Sequence, residues 1–251
     1  MRQSGNELVD KLGITKRMKV LDLGCGDGTT AIPIAKLGAD VLGVDIASNL
    51  VEAGNIRSRK EGLTHCTFQE GDACNLRGLE DESFDMVISI FGAMFASKPY
   101  DVAKEMVRVT KPGGKIIMGN WIPGEATFVA RLLNISSSYS PPPSNGFISP
   151  MTWGVENNVI DRFGQAGIKR ENITMVKDTY TFIAPYSSSE FLLVFKNFYG
   201  PTMNAYEAAG NNGKEEFLHK ELDELFNSQN QSESVDRTSI PATYLRVSIQ
   251  C

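Results

Sequence analysis

Three glycines and two acids carry the spacing that could do chemistry in this chain of 251 residues. Asp22, Gly24, Gly26 and Gly28 stand in the run VLDLGCGDGTT, and Asp45 closes the run DVLGVD further on. Glycine has no Cβ, so Gly24 and Gly26 permit a tight turn and let a ligand lie against bare backbone. An acid at the end of the next strand can take both hydroxyls of a ribose. The pattern predicts a ligand that carries an adenosine. Cys25, inside the loop, is small enough to pack behind the turn, a reading favoured over a nucleophilic thiol.

The elements that must position these residues follow from periodicity. Val20, Leu21 and Leu23, with Met18 before them, form the short apolar run of a buried parallel strand, and residues 29–37 follow as a helix. Strand, glycine turn and helix repeat downstream: a strand over 40–44, a helix over 47–61 stopped by Gly62, and a strand over 64–69. A fourth strand spans 84–89, an amphipathic helix 99–110, and the KPGG run of Lys111 to Gly114 ends that helix before a strand over 115–120. Before all of these, residues 4–12 have Ser4 as a cap and Leu8, Val9 and Leu12 at helical spacing, predicting a short helix able to cover the ligand.

Bulk properties narrow the function classes. The length suits one α/β domain with insertions, residues 1–251 taken as a single domain. Hydrophobic residues at 41% and charged residues at 22% are ordinary globular values, and no apolar run is long enough to span a bilayer. A net charge of −5 disfavours a nucleic-acid partner, which would need clustered Lys and Arg. The N-terminus lacks signal or transit character, so a cytoplasmic protein is expected. Cysteines at 25, 66, 74 and 251 show no CxxC pairing and no His spacing for zinc, so reduced thiols and no metal site are expected.

Asp22, Gly24 and Gly26 in the order D-x-G-x-G, followed by Asp45, resemble the first two motifs of class I S-adenosylmethionine-dependent methyltransferases of the small-molecule, UbiE-like kind. A nicotinamide fingerprint, G-x-G-x-x-G, would want glycine or alanine at position 29; here Thr29 stands there and Gly28 is one residue early. The resemblance spans residues 18–121 and includes the helix, KPGG turn and strand of EMVRVTKPGGKIIMGNW. It implies a Rossmann-like, doubly wound, mostly parallel seven-stranded sheet with helices on both faces and a helical insertion before the last strand. It implies S-adenosylmethionine as cofactor and S-adenosylhomocysteine as product. By the same resemblance Ile46 flanks the ribose, Asp72 takes the adenine amino group with the Ala73 backbone as helper, and Ile90 packs on the cofactor. Phe91, Gly92, Met94 and Phe95 then face the methyl group, with core packing the equal alternative for Phe91 and Met94. Many relatives carry a further helix before residues 4–12, so full closure over the cofactor stays open.

Beyond residue 121 the pattern loosens. Residues 122–149 read as a long irregular connection containing Pro141 to Pro143, a wall of the acceptor pocket or a rigid surface link. A helix is predicted over 150–166 and a strand over 172–183. Helical segments at 187–199, 202–209 and 213–228 precede a last strand over 240–249. The insertion 187–228 is a lid that sets acceptor choice or, alternatively, a dimer interface, so monomer and homodimer both remain. Asn120, Trp121, Trp153, Tyr199, Met203 and Tyr206 are the pocket candidates. His65 and His219 are read as structural rather than as general bases. The N/D-P-P-aromatic run of enzymes that methylate exocyclic base amines is absent after the fourth strand, where SIFGAMF stands. The expected partner is a small-molecule methyl acceptor, with an inactive cofactor-binding scaffold and a nicotinamide dehydrogenase as the alternatives.

Overall fold

The computed structural model describes residues 8–124 and 127–251. The predicted helix over 4–12 falls partly outside them; Leu8 and Val9 are helical, and a turn follows to Gly13. One seven-stranded sheet has the order β3-β2-β1-β4-β5-β7-β6. Its strands are β1 (Lys19–Leu23), β2 (Asp40–Asp45), β3 (Cys66–Glu70), β4 (Phe84–Ile90), β5 (Thr110–Trp121), β6 (Ile173–Ala184) and β7 (Thr238–Gln250). Strands β1 to β5 pair in parallel, and β7 runs antiparallel to β5. This is the Rossmann-like, doubly wound, mostly parallel sheet expected from the sequence, with the order reversing between β1 and β4. In such sheets ligands bind where the order reverses, beyond the carboxyl ends of the strands.

Two compact units divide the chain. Among the described residues, the first comprises residues 8–121, Ile148–Asp178 and Tyr244–Cys251. In it α1 (Ala31–Lys36), α2 (Ser48–Lys60), α3 (Pro99–Val109) and α5 (Glu156–Gln165) flank the strands. Central β1 and β4 are apolar on both faces because helices cover both: Val20, Met86, Ile88 and Ile117 pack with Ile32, Ile34 and Ala35 of α1. Val102, Met106 and Val109 of α3 and Val159 and Phe163 of α5 are buried at similarly spaced positions of their helices.

The KPGG segment does more than end α3. Phe84 pairs with Thr110 but Met86 pairs with Lys115, so Lys111 to Gly114 bulge out of β5. Gly113 takes φ +79°, and the chain end pins the bulge: its amide donates to the Cys251 carbonyl at 2.9 Å, and the Cys251 amide donates to Gly114 at 3.0 Å. Strand pairing thus begins five residues before the start predicted from sequence. The predicted helix over 150–166 is also two elements, a 3-10 turn over Pro150–Gly154 and then α5. Ser149 caps the turn by accepting from the Met151 amide, and Val155 breaks the helical run with extended backbone.

The second unit comprises Ile122–Phe147 and Thr179–Thr243. It holds α4 (Phe128–Tyr139), α6 (Ser188–Phe198), α7 (Gly200–Asn211) and α8 (Glu215–Gln229). The helix α4 corrects the expectation of an irregular connection over 122–149. Phe128, Val129, Leu132 and Ser136 form its buried stripe, and the serines and prolines that follow had hidden that periodicity. Phe128, Phe191, Phe195 and Phe226 meet mostly edge to face, with centroids 4.9 to 6.1 Å apart, and make this unit's core. Ser187 and Glu190 form a capping box at the start of α6, and Pro201 sits in the first turn of α7, which its fixed φ favours. No helix among the described residues is long and apolar enough to cross a membrane.

Candidate cofactor and acceptor site

The glycine turn after β1 is held in three ways. The Gly24 amide donates to the Val44 carbonyl at 2.7 Å and the Cys25 amide to the same oxygen at 3.2 Å. The Gly26 amide donates to Asp45 Oδ2 at 2.8 Å, while Asp45 Oδ1 accepts from the Ala47 amide at 2.9 Å. Asp45 therefore ties the end of β2 to the loop and keeps its carboxylate facing backbone donors. Gly24 (φ +71°) and Gly26 (φ +56°) both lie in the left-handed region.

The two glycines are required for different reasons. A Cβ on Gly24 would lie 2.7 Å from the Gly92 backbone, so the loop after β1 and the segment after β4 touch backbone to backbone. A Cβ on Gly26 would meet nothing within 4 Å, which leaves open room beside the Asp45 carboxylate. Gly28 answers to the core instead: a Cβ there would strike Phe68 at 2.6 Å.

Asp22, at the end of β1, is 1% exposed, and its Oδ2 has no hydrogen-bond partner. Burial, and next the Asp45 charge, push its carboxyl up to about 7 against the pull of the Ala31 amide. The Cys25 thiol is 7% exposed and pushed strongly up by burial and by Asp22 and Asp45, so it holds its proton and packs as a small apolar group. Ile46 is 72% exposed beside Asp45. Gly71 donates to the Asp45 carbonyl at 2.9 Å, which sets Asp72 and Ala73 next to the same edge. Asp72 is exposed, and its Oδ1 accepts from the Cys74 amide at 2.8 Å.

After β4 the chain makes a strained turn. Phe91 has φ +59°, a conformation costly for a bulky side chain. Its amide donates to Gly119 at 2.9 Å, and its ring lies flat on Trp121, centroids 3.7 Å apart with a 6° interplanar angle. Tyr244 closes the group edge-on to Phe91 at 5.2 Å and to Trp121 at 6.4 Å. Ser89 braces the turn by donating to the Leu23 carbonyl and accepting from the Ala93 amide.

The other pocket candidates divide. Phe91 is half-buried and can meet a ligand, whereas Met94 (1% exposed) packs as core. Asn120 is fully buried, and neither atom of its amide has a partner. Trp153 is buried beneath the Arg162 guanidinium, 4.4 Å from the ring centroid, and its indole N–H has no partner. Tyr206 belongs to the second unit, where its hydroxyl and His219 Nδ1 are 2.7 Å apart. His65 hydrogen-bonds the Ala35 carbonyl at 2.9 Å.

Sequence reasoning missed Tyr244, Asp178, Arg246 and Lys11. Tyr244 Oη donates to Asp178 Oδ2 at 3.3 Å; Lys11 Nζ is 2.9 Å from Asp178 Oδ1, and Arg246 Nε is 3.2 Å from Oδ2. Burial and the Asp178 charge push the Tyr244 phenol up, so it stays a hydrogen-bond donor. The antiparallel register that sets Tyr244 opposite Trp121 is the signal, and a single sequence does not reveal it.

Known proteins resemble this chain in sequence and in fold. A methyltransferase domain model matches residues 21–118. An uncharacterized protein of Mycobacterium tuberculosis (strain H37Rv), Rv1405c, is 34% identical over 223 residues, 89% of this chain and 78% of that protein. Among solved structures, a putative methyltransferase from Bacillus halodurans has a TM-score of 0.63 at 17% identity, with 99% of this chain and 98% of that chain covered. Phosphoethanolamine N-methyltransferase 2 of Haemonchus contortus, solved with phosphomonomethylethanolamine and S-adenosylhomocysteine, has a TM-score of 0.60 at 18% identity, covering 98% of this chain and 52% of that one. With the domain match falling on the glycine loop, Asp45 and the strands that carry them, the chain belongs to the class I S-adenosylmethionine-dependent methyltransferases.

Proposed function

We propose that the protein transfers a methyl group from S-adenosylmethionine to a small-molecule acceptor. The observation that carries this reading is the clasp of Asp45 on Gly26, which leaves a bare, open loop beside a fixed carboxylate. Asp22, Gly24, Cys25 and Gly26 form the cradle, Asp45 and Ile46 flank the ribose, Asp72 and Ala73 meet the adenine, and Ile90 packs against the donor. The residues present fit the cofactor: the open space at Gly26 admits it, and the unpartnered Asp22 oxygen suits a cation.

The bound cofactor supplies a methyl group on a positively charged sulfur, already activated for displacement. What remains for the chain is orientation and exclusion of water, and orientation can supply roughly 7 to 11 kcal/mol. Phe91, braced on Trp121 and Tyr244, is the rigid wall proposed for this task. An acceptor arriving as a thiolate, phenolate or neutral amine needs no general base. The segments 122–149 and 187–228 are proposed to set acceptor choice. A homocysteine-release assay with S-adenosylmethionine and panels of thiols, phenols, amines and quinols tests the reading; turnover of one class supports it.

A further inference from the structure

We propose that Arg57 is a positioning residue for the donor: from the far end of α2 it grips Asp27 and holds the glycine loop in its binding-competent shape. The inference rests on the cofactor reading above. Arg57 stands in the last turn of α2. Its Nη1 donates to the Asp27 backbone carbonyl at 2.7 Å and pairs with Asp27 Oδ2 at 2.7 Å. One guanidinium nitrogen thus holds both the main chain and the side chain of a single loop residue. The Thr29 hydroxyl holds the other carboxylate oxygen, donating to Asp27 Oδ1 at 3.2 Å.

A second tie comes from the opposite end of the same helix. Asp45 accepts from the Gly26 amide and from the amide of Ala47, the residue that opens α2. Consecutive loop residues, Gly26 and Asp27, are therefore fastened to the two ends of one helix, and the loop cannot slide along it. The helix is itself fixed to β3, because the Asn55 side chain donates to the Phe68 carbonyl at 2.8 Å and accepts from the Phe68 amide at 3.0 Å. Phe68 in turn fills the space beside Gly28. The Arg57 side chain is 20% exposed, and its Nε is buried without a partner. An unpaired buried donor costs stability, so satisfying the guanidinium itself does not explain its placement, whereas a grip on the loop does.

The grip matters because Gly24, Gly26 and Gly28 leave this loop more backbone freedom than an ordinary sequence would. A ligand that needs one loop conformation binds with an affinity reduced by the fraction of molecules holding the others. Ties at Gly26 and Asp27 raise the competent fraction before any ligand arrives, which is pre-organisation. Donor and product share the adenosine and the amino-acid chain and differ only in the methyl group, so a loop already in shape favours both alike. Arg57 touches neither ligand in this account; it acts through Asp27.

Titration of the full chain and of Arg57→Gln with S-adenosylmethionine and S-adenosylhomocysteine, each well below its melting temperature, tests the proposal. Both ligands should bind Arg57→Gln about three- to thirtyfold more weakly, and by the same factor. Without ligand, the Gly28 amide, which donates to the Cys25 carbonyl at 3.1 Å, should exchange its hydrogen faster in the variant. Arg57→Lys should recover part of both effects, since an ammonium can restore contact with the Asp27 oxygens. Asp27→Asn combined with Arg57→Gln should weaken binding by less than the product of the two single effects. If Arg57→Gln does not fold, Arg57→Lys and Asp27→Asn, singly and together, give the same comparison. Unchanged affinities beside a lowered melting temperature would mark a merely structural residue and overturn the proposal, as would weakening of one ligand alone or independent effects of the two substitutions. In each of these cases the cofactor reading stands. Absence of binding by the native chain overturns both.

Discussion

Phe91 and Trp121 lie face to face at 3.7 Å although Phe91 must adopt a left-handed backbone to do so. The strain is held by the Gly119 hydrogen bond, by Ser89 and by the Tyr244 edge contact, all at the carboxyl end of β4 and β5. A strained residue kept in place by its surroundings is what the proposed pre-organised wall requires.

Replacing Phe91 separates strain from packing. Phe91→Gly and Phe91→Ala both lose the aromatic stack, worth about 0.5 to 1.5 kcal/mol beyond area burial. Only glycine also relieves the left-handed backbone, by roughly 1 kcal/mol. Chemical denaturation should find Phe91→Ala the less stable variant; the reverse order would show that the backbone carries no strain.

Gly24 and Gly26 should respond differently to alanine. Gly24→Ala drives a Cβ into the Gly92 backbone at 2.7 Å and should lower stability by several kcal/mol, on the order of an overpacked core. Gly26→Ala meets only the backbone penalty, about 1 kcal/mol, and should weaken donor binding by filling the open loop. Thermal melts together with donor titrations of the two variants check this pairing, and equal stability losses would contradict it.

Asp45→Ala removes charge-assisted hydrogen bonds worth about 1.5 to 3 kcal/mol, so donor affinity should fall on the order of ten- to a hundredfold. An unchanged dissociation constant would remove Asp45 from the ribose site.

Asp22 also makes stability depend on pH. Its carboxyl is raised from 3.8 to about 7 in the folded chain, so between those values the native state holds a proton that the unfolded chain has lost. Stability from this group is therefore full below about pH 4, falls as pH rises, and levels off above about 7, a total on the order of 4 kcal/mol. Denaturant midpoints of the native chain and Asp22→Asn across this range should diverge, with the variant lacking the decline. Parallel curves would contradict the buried-acid assignment.

Much of the sheet and the glycine loop was legible because their signals are local. Strand, glycine turn and helix are written in adjacent residues, and Asp45 follows at one βαβ unit. Gly28 was legible only as a glycine out of place for a nicotinamide loop; its packing reason, Phe68, lies on another strand. The helix α4 was hidden by its serine-rich end and the prolines after it. Tyr244 and Asp178 depend on antiparallel register between β5 and β7 and on an ion pair with Lys11, contacts between residues far apart in the chain. Pairings of that range leave no trace in local periodicity. The contact of Gly24 with Gly92 is similarly invisible, since either glycine alone reads as a turn.

Calorimetric titration of the purified protein with S-adenosylmethionine decides whether the chain uses this donor. Saturable binding of one donor per chain at micromolar affinity, weakened by Asp45→Ala, is the expected result. No binding under conditions where the chain is folded would contradict it.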